Sequence, residues 1–477
     1  MAATLNHIMN IGSESLGNSR VGVDVTGHNI ANAHTPGYSR QRVNLEARQP
    51  IQYGLHVLGQ GAKIQNIERV HDKFLEAQLR KEIQTQGSAD ASASGLAKLE
   101  TLFSPELQST VRDRLNSFFN SMREVANMPD EPATRINLVE TANALAQSIN
   151  SAHSGVDTIQ KDITAEVGAN VEIVNQKLSQ VASLNQSIKE MSMDEISKAN
   201  DLEDRRDKTV REISQLIDCN VYRDENDEVT IRGPGSTLLV EGVNAAHFVM
   251  DQDATVSIHP RLILKDFSNN SERDVTNLVE TGKIAGLLRV RDRNAQEVRE
   301  SLNEFAQGVS SSVNEIHRKG FGTGDYAGMN GRDFFEGAEG EDDGEPARNF
   351  AVSTLILRDP TAIATGMTTY TPGDNVIANN IVRLFYEPMF DNGKATMSGL
   401  YDKFVGKVGI DSMHAKEGLN ASNIVLSQIE SQKETMSGVS LDEEAAQLLK
   451  YQHLFTASSR IITTADEMFK TVLDLKR

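Results

Sequence analysis

Apolar side chains recur at intervals of three and four along much of this 477-residue chain, the spacing that lines one face of an α-helix. Near the N-terminus Met9, Leu16, Val23 and Ile30 form one seven-residue column, while Leu5, Gly12, Ser19 and Thr26 form a second on the same face. The second column is mostly small, so it permits close approach by a partner helix but contributes little apolar area. At the opposite end Leu441, Leu448, Phe455, Ile462 and Phe469 also repeat every seven residues. Interleaved with Tyr451, Ser458, Ala465 and Val472, they make a seam from Leu448 to Val472. Both ends read as coiled-coil formers, and neither buries enough to stand alone. The expectation is a joint terminal domain, residues 1–60 with 430–477, that also contacts neighbouring subunits.

Between the ends, Leu138, Ala142, Leu145, Ile149, Ala152, Val156, Ile159 and Ile163 keep the three-four alternation, and Val174, Leu178, Val181, Leu184 and Ile188 resume it. Gly155 and Gly168 weaken this helix without ending it, so a rod many turns long is predicted. From Cys219 to about Phe267 the pattern shortens to strands such as Val229–Ile231 and Leu262–Leu264, divided by Asp-Glu-Asn-Asp and Gly-Pro-Gly turns. Helical patterning returns from Asn277 to His317. Residues 320–348 are Gly-rich and acidic and read as an exposed loop or a reduced outer insertion. The predicted fold is mainly α, elongated and multi-domain. It has coiled-coil-like terminal helices, and a long-helix bundle with a β-rich patch near 219–267 fills a second domain over residues 61–429.

Composition narrows the class. With 38% hydrophobic but only 5% aromatic residues and no Trp, the chain looks helix-rich and lightly packed. Its formal charge of −19 argues against a nucleic-acid partner, which needs clustered Lys and Arg to neutralise phosphates. The single Cys219 cannot form an internal disulfide. The first residues lack a basic stretch followed by an apolar one, so no conventional signal peptide is expected. No 18-residue apolar run predicts membrane insertion.

Candidate chemistry is sparse. Asp224, Asn226 and Glu228 resemble the opening of a calcium loop, but Val229 stands where the sharp-turn Gly is needed, so a hairpin turn is expected. Gly320, Gly322 and Gly324 lack the Lys-Ser of a phosphate cradle. His28 and His34 are six apart and face different sides of a helix, which suits capping or surface roles better than metal binding. No catalytic, cofactor-binding or metal-binding residue is assigned.

The most informative stretch is NIANAHTPGYSRQRV at Asn29–Val43. The side chain of Asn32 can close the helix through hydrogen bonds, and Pro36 drives Thr35 to extended backbone. Pro36 and Gly37 then fit the centre of a type II turn, with Gly37 supplying positive φ, before Tyr38 opens a strand. Asn29, Asn32, Thr35, Pro36, Gly37 and Tyr38 thus make a helix-strand joint.

That joint, as NIAN-x-x-T-x-GY, resembles the shared N-terminal signature of the bacterial flagellar axial proteins, the rod, hook and hook-associated subunits. The C-terminal stretch VSLDEEAAQLLKYQHLFTASSRIITTADEMFKTVLDL is similar to the same family. The continuation Ser39-Arg40-Gln41 and the central NDLEDRRDKTVREISQLIDCNV resemble its hook-associated branch at the hook-filament junction. The resemblance spans Leu5 to Leu475.

It implies a structural, non-catalytic and extracellular subunit, exported by the flagellar type III route without a cleaved signal. Both chain ends would line a tube, with a mainly helical domain outside. Implied partners are copies of itself, the hook protein, a second junction protein leading to the flagellin filament, and a cytoplasmic export chaperone at the C-terminal region. The alternatives are a hook or distal rod subunit, or a wall hydrolase that would use Glu336 or Asp342 after Gly320.

Overall fold

The computed structural model describes residues 2–53, 56–104, 110–191, 199–224, 228–251, 259–268, 271–338, 344–371 and 373–474. The chain opens with α1 (Ala2–Asn32), then β1 (Gln41–Ala47), β2 (Ile51–Tyr53), β3 (His56–Leu58) and β4 (Ala62–Arg69). Helices α2 (Lys73–Thr101), α3 (Val111–Asn127), α4 (Pro132–Met191) and α5 (Asn200–Leu216) follow. A β-rich stretch holds β5 (Asn220–Arg223), β6 (Val229–Arg232), β7 (Leu238–Glu241), β8 (Asn244–Ala245), β9 (His247–Asp251), β10 (Arg261–Lys265) and β11 (Glu272–Asp274). The remaining elements are α6 (Gly282–Arg289), α7 (Ala295–His317), β12 (Phe335–Glu336), α8 (Pro346–Asn349), β13 (Ala351–Val352), α9 (Thr354–Arg358), α10 (Val376–Leu384), α11 (Met397–Ser437) and α12 (Leu441–Asp474). The expected domain limits at 60 and 430 fall in the turn before β4 and inside α11.

The mainly α, elongated architecture follows from the periodicity. Helix α4 runs unbroken for 60 residues, about 90 Å at 1.5 Å per residue. Its buried line includes Leu138, Leu145, Ile149, Val156, Ile163, Val174, Leu178, Val181 and Ile188. Gly155 lies inside the helix, and Leu102 packs where a Cβ would stand. Helix starts are capped locally: Asp72 accepts from the amides of Phe74 and Leu75, and Thr110 with Asp113 forms a capping box. Among the described residues no helix is long and apolar enough to cross a membrane.

The sheets are small and antiparallel. Strands β5 to β8 form one meander and β9 to β11 another, covering the expected patch and extending past it to Asp274. Strands β5 and β6 close the hairpin predicted at Asp224, whose amide donates to the Glu228 carbonyl; Asn226 lies outside the described residues. The helical reading from Asn277 is corrected. Regular helix starts at Gly282 and passes through a π-helical turn at Val290–Asn294 before α7.

The Gly-rich stretch 320–348 is also more ordered than an exposed loop. Phe334 and Phe335 are buried, and Phe335 stacks on Phe350 at 4.6 Å between ring centres. Their amides donate to Asn314 Oδ1. Residues 339–343 lie outside the described residues.

Just before this segment His317 is fully buried against Phe334. Its Nδ1 meets the Arg332 carbonyl at 2.8 Å and its Nε2 accepts from the Ala364 amide at 2.9 Å. The imidazole is therefore neutral with its proton on Nδ1, and burial together with Arg332 and Arg135 pushes its pKa down to about 4. The unfolded imidazole titrates near 6.5, so stability is full above that pH and falls as pH drops toward 4. The loss is about 3 kcal/mol at 1.36 kcal/mol per pKa unit. Urea unfolding of the protein and of His317→Gln at pH 7 and pH 4 should show the difference between them shrinking by that amount at pH 4. A pH-independent difference would disprove the assignment.

Candidate functional site

The two chain ends meet as an antiparallel helix pair, and small residues make the closest approach. On α1, Leu5, Gly12, Ser19, Gly22, Thr26 and Asn29 are buried, whereas Met9, Leu16, Val23 and Ile30 are half-buried beside them. A Cβ on Gly12 would stand 2.8 Å from Ile462 Cγ1, and one on Gly22 2.5 Å from the Tyr451 ring. Ser19 and Thr26 turn their hydroxyls onto the carbonyls of Ser15 and Gly22 in the preceding turn. Ser458 donates to Ser15 across the pair at 2.7 Å. On α12, Ser458 and Ala465 are buried and Leu448, Ile462 and Phe469 half-buried, while Leu441 and Phe455 are 48% and 42% exposed.

At the end of α1 the chain turns as its chemistry dictates. Asn32 donates to the His28 carbonyl, Thr35 donates to Asn32, and the Tyr38 amide closes the turn on Thr35 at 3.2 Å with Gly37 at φ +90°. His34 is exposed, and His28 meets the Tyr38 hydroxyl at 3.1 Å. Tyr38 in turn donates to Asn29 at 2.8 Å. Burial, then the carboxylates of Asp201, Asp204 and Glu444, holds this phenol far above its usual range, so it remains a donor.

Asn29 is the centre of the joint, because its amide uses both lone pairs and both protons. Its Oδ1 accepts from Tyr38 and from the Gln41 amide, and its Nδ2 donates to the Gln41 carbonyl and to Glu444 Oε2. Glu444, buried in the first turn of α12, accepts from Arg40 Nε at 2.6 Å. The Arg40 amide donates to Ser437 at the end of α11. The ribbon of β1 and β4 then returns along α1, tied by Asn18 to the Ala62 carbonyl and by Arg48 to Glu14.

The ribbon's base rests on α5. Ser39 donates to Asp204 from both its amide and its hydroxyl, each at 2.8 Å. Arg69 reaches Glu203 and Asp204 at 2.6 Å and Asp207 at 3.0 Å, and all four side chains are more than nine-tenths buried. Asp207 also binds Arg223. Burial alone would raise the Asp207 carboxyl, but Arg223 and Arg69 outweigh it and hold it well below the carboxylate range. Burial likewise opposes the Arg69 charge, and the three carboxylates overcome it. Gln41 donates to Asp201, and Asn200 to the Ile67 carbonyl.

Three stretches far apart in sequence therefore converge: the joint at Asn29–Tyr38, the first half of α5, and the start of α12. Of the residues singled out, Asn29 and Tyr38 enter the network, Asn32 and Thr35 to Gly37 shape the turn, and the seam residues remain with the helix pair. Sequence reasoning missed Ser39, Arg40, Arg69, Asp204 and Glu444 as contacts. The crowded acids and arginines of Asp-Leu-Glu-Asp-Arg-Arg-Asp at Asp201–Asp207, too polar for a helix that is buried on one face, were the available signal.

Residues 96–335, just over half of the chain, match the family described as the flagellar hook-associated protein FlgK helical domain. Residues 431–475 match the flagellar basal body rod FlgEFG protein C-terminal family. The chain is 26% identical to flagellar hook-associated protein 1 of Bacillus subtilis strain 168 over 96% of each chain, and 22% identical to that of Salmonella typhimurium over the full length of both. Its fold is similar to that of the flagellar hook junction protein FlgK from Burkholderia pseudomallei. That match has a TM-score of 0.67 at 14% identity and covers 76% of this chain and all of that one. By the half-chain match over α2 to β12, the chain belongs to the FlgK family of flagellar hook-associated proteins.

Proposed function

We propose that this chain is a structural, non-catalytic subunit of the bacterial flagellum that joins hook to filament and assembles through its paired terminal helices. One observation carries the reading. Along one flank of α12, Leu454, Ile461 and Met468 repeat every seven residues and stay 42%, 43% and 51% exposed, although Ile461 also reaches Gly12 of α1. Such a stripe, left partly uncovered by the helix's own partner, is a surface for neighbouring subunits. The neighbours are copies of this chain, the hook protein on one side, and a second junction protein leading to the flagellin filament on the other. A cytoplasmic export chaperone would bind the same C-terminal region before assembly. The product is extracellular, exported without a cleaved signal. Leu5, Met9, Leu16, Val23 and Ile30 on α1 and Leu448, Phe455, Ile462 and Phe469 on α12 carry packing in the assembled tube.

Membership of the hook-associated family disfavours a hook or distal rod subunit. The hydrolase reading has no support at Glu336, whose carboxylate caps α9 by accepting from the Thr354 amide. Asp342 lies outside the described residues.

In a strain whose only copy lacks residues 441–477, electron microscopy should show intact hooks without filaments, and flagellin should appear in the medium. Retained filaments would refute the role of α12, and loss of the hook itself would favour the hook-subunit alternative.

Gly22 and Gly17 provide a matched pair of probes. A side chain at Gly22 meets Tyr451, whereas Gly17 faces open space within the chain. Overpacking costs roughly 1–3 kcal/mol, so Gly22→Leu should speed tryptic cleavage of both chain ends about tenfold, with unchanged cleavage of the body. Gly17→Leu should leave the rate near that of the parent protein. Equal effects from the two variants would sink the pairing seen at Gly22.

A further inference from the structure

Far from the joint, at the end of the rod where α4 begins, three segments meet: the turn between α3 and α4, the stretch Gly324–Gly331, and the loop Gly366–Thr371 with the start of α10. Polar bonds join them. The Asn375 side chain donates to the Ala126 carbonyl, and the Tyr370 amide donates to the Ala327 carbonyl at 3.2 Å. Asp374 accepts from the amides of Met367, Thr368 and Val376 and so closes the loop on itself. Each segment presents a methionine to solvent: Met128, Met329 and Met367 are 53%, 55% and 60% exposed, and Tyr370 and Val376 are exposed with them.

Tyr370 holds φ +56°, a left-handed conformation that a bulky side chain rarely adopts. Its hydroxyl stands 2.7 Å from where a Cβ on Gly328 would be, so the ring is seated over Gly328 and not turned into the core. Methionine serves the interior as a gap-filler, as Met122 and Met397 do where they are fully buried. At this end of the body it is left outside instead. The other exposed methionines, Met191, Met389, Met413, Met436 and Met468, are spread over α4, the turn before α11, α11 and α12.

A thioether sulfur exposed to water is attacked by two-electron oxidants without prior ionisation, whereas a thiol must first become a thiolate. The one thiol of the chain, Cys219, is buried, and burial pushes its pKa up to about 11. The exposed methionines are therefore the groups that a mild oxidant meets. Residues 126–135, 324–331 and 366–376 carry the acids Asp130, Glu131, Asp325 and Asp374, and their one basic residue, Arg135, is buried. Such a surface repels anionic oxidants and admits uncharged ones.

We infer that Met128, Met329 and Met367 form an oxidation site for uncharged peroxides, and that their conversion to sulfoxides turns this apolar end of the body polar without unfolding it. In each conversion a sulfur lone pair attacks one peroxide oxygen, the O–O bond breaks and an S–O bond forms. With hydrogen peroxide the sulfur loses two electrons, the departing oxygen leaves as water, and the protein neither gains nor loses a proton. Because the three side chains already face solvent, the larger and more polar sulfoxides need no room inside the core.

The test uses the full-length protein, treated with hydrogen peroxide at neutral pH, quenched at intervals and digested with trypsin. Trypsin places Met122, Met128, Met329, Met367 and Met397 in five different peptides, so each is read as the fraction of its own peptide that has gained one oxygen. Met128, Met329 and Met367 should convert about tenfold faster than the buried Met122 and Met397. As they convert, fluorescence of the apolar dye bis-ANS should fall by about a third while the unfolding temperature holds. The triple variant Met128→Gln, Met329→Gln, Met367→Gln should start at the lower dye signal and lose little more under peroxide. Met413→Gln with Met436→Gln should keep both the parent's signal and its fall.

Similar rates for all five methionines would overturn the site, as would a dye signal that stays level after the three peptides have gained oxygen. A triple variant whose signal falls as far as the parent's would overturn the patch as its source. A drop in unfolding temperature in step with oxidation of Met122 would show that unfolding, and not surface exposure, admits the oxidant, and the inference would fail. If the triple variant does not fold, Met367→Gln alone decides: it should remove part of the fall in dye signal, and a fall equal to the parent's counts against the site.

Discussion

The contact of Ser39 and Arg69 with Asp204 decides where the chain ends stand relative to everything between them. A carboxylate removed from water at this depth costs several kcal/mol unless it is paired and fully hydrogen-bonded. Asp204 meets both conditions only when the two strands of the ribbon are at its ledge. Arg69 has the reciprocal need, since its guanidinium is just as deeply placed among Glu203, Asp204 and Asp207. The network therefore contributes more to geometry than to net stability: ion pairs of this kind roughly break even against an apolar replacement but demand one arrangement of their partners.

The terminal helix pair shows the complementary choice. Gly12 and Gly22 let Ile462 and Tyr451 come within contact of the α1 backbone, and the serines between them satisfy one another or the preceding turn. Such a seam is close but buries little apolar area, so its stabilisation at roughly 25 cal/mol per Å² is small. The larger apolar residues of α1 are half-buried flanks, and on α12 Leu454, Ile461 and Met468 stay exposed along one flank, with Ile461 also reaching Gly12. The pair is organised so that its internal contacts set spacing and its remaining apolar surface faces away from its own chain.

Much of this was legible in the sequence where local chemistry decides the outcome. The rod from Leu138 to Ile188 declared itself because every third or fourth residue is apolar. The turn at Thr35–Tyr38 did so because Pro36 and Gly37 have few other conformations. What stayed hidden depends on distance or on mixed surroundings. Helix α11 spans 41 residues, but its apolar contacts to the core cluster at Met397–Val408 and then thin out to Ile429, so no continuous periodicity marks it. The Gly-rich run before Phe350 hid a packed aromatic group, because glycine content signalled a loop while Phe334 and Phe335 were the residues that mattered. The joint network could not be read at all from local pattern. Ser39 and Asp204 are 165 positions apart and Arg40 and Glu444 are 404 apart, and nothing near any one of them names its partner.

A polar joint also explains why the three matching stretches are so unlike in composition. An apolar interface between the terminal pair and the body would tolerate sliding, because dispersion contacts are non-directional and many registers bury similar area. The bonds of Ser39 and Arg69 to Glu203, Asp204 and Asp207 do not tolerate it, since a shift of about 1 Å takes a charged bond out of range and leaves a buried group unpaired. A chain whose ends are fixed against its body is better served by the second kind of contact at its joint, and by the first kind in the body, where Phe118, Leu145 and Val309 are fully out of water. The acidic and arginine-rich first half of α5 is the place where those two requirements meet, one face of the helix packed on α4 and the other holding the chain ends in register.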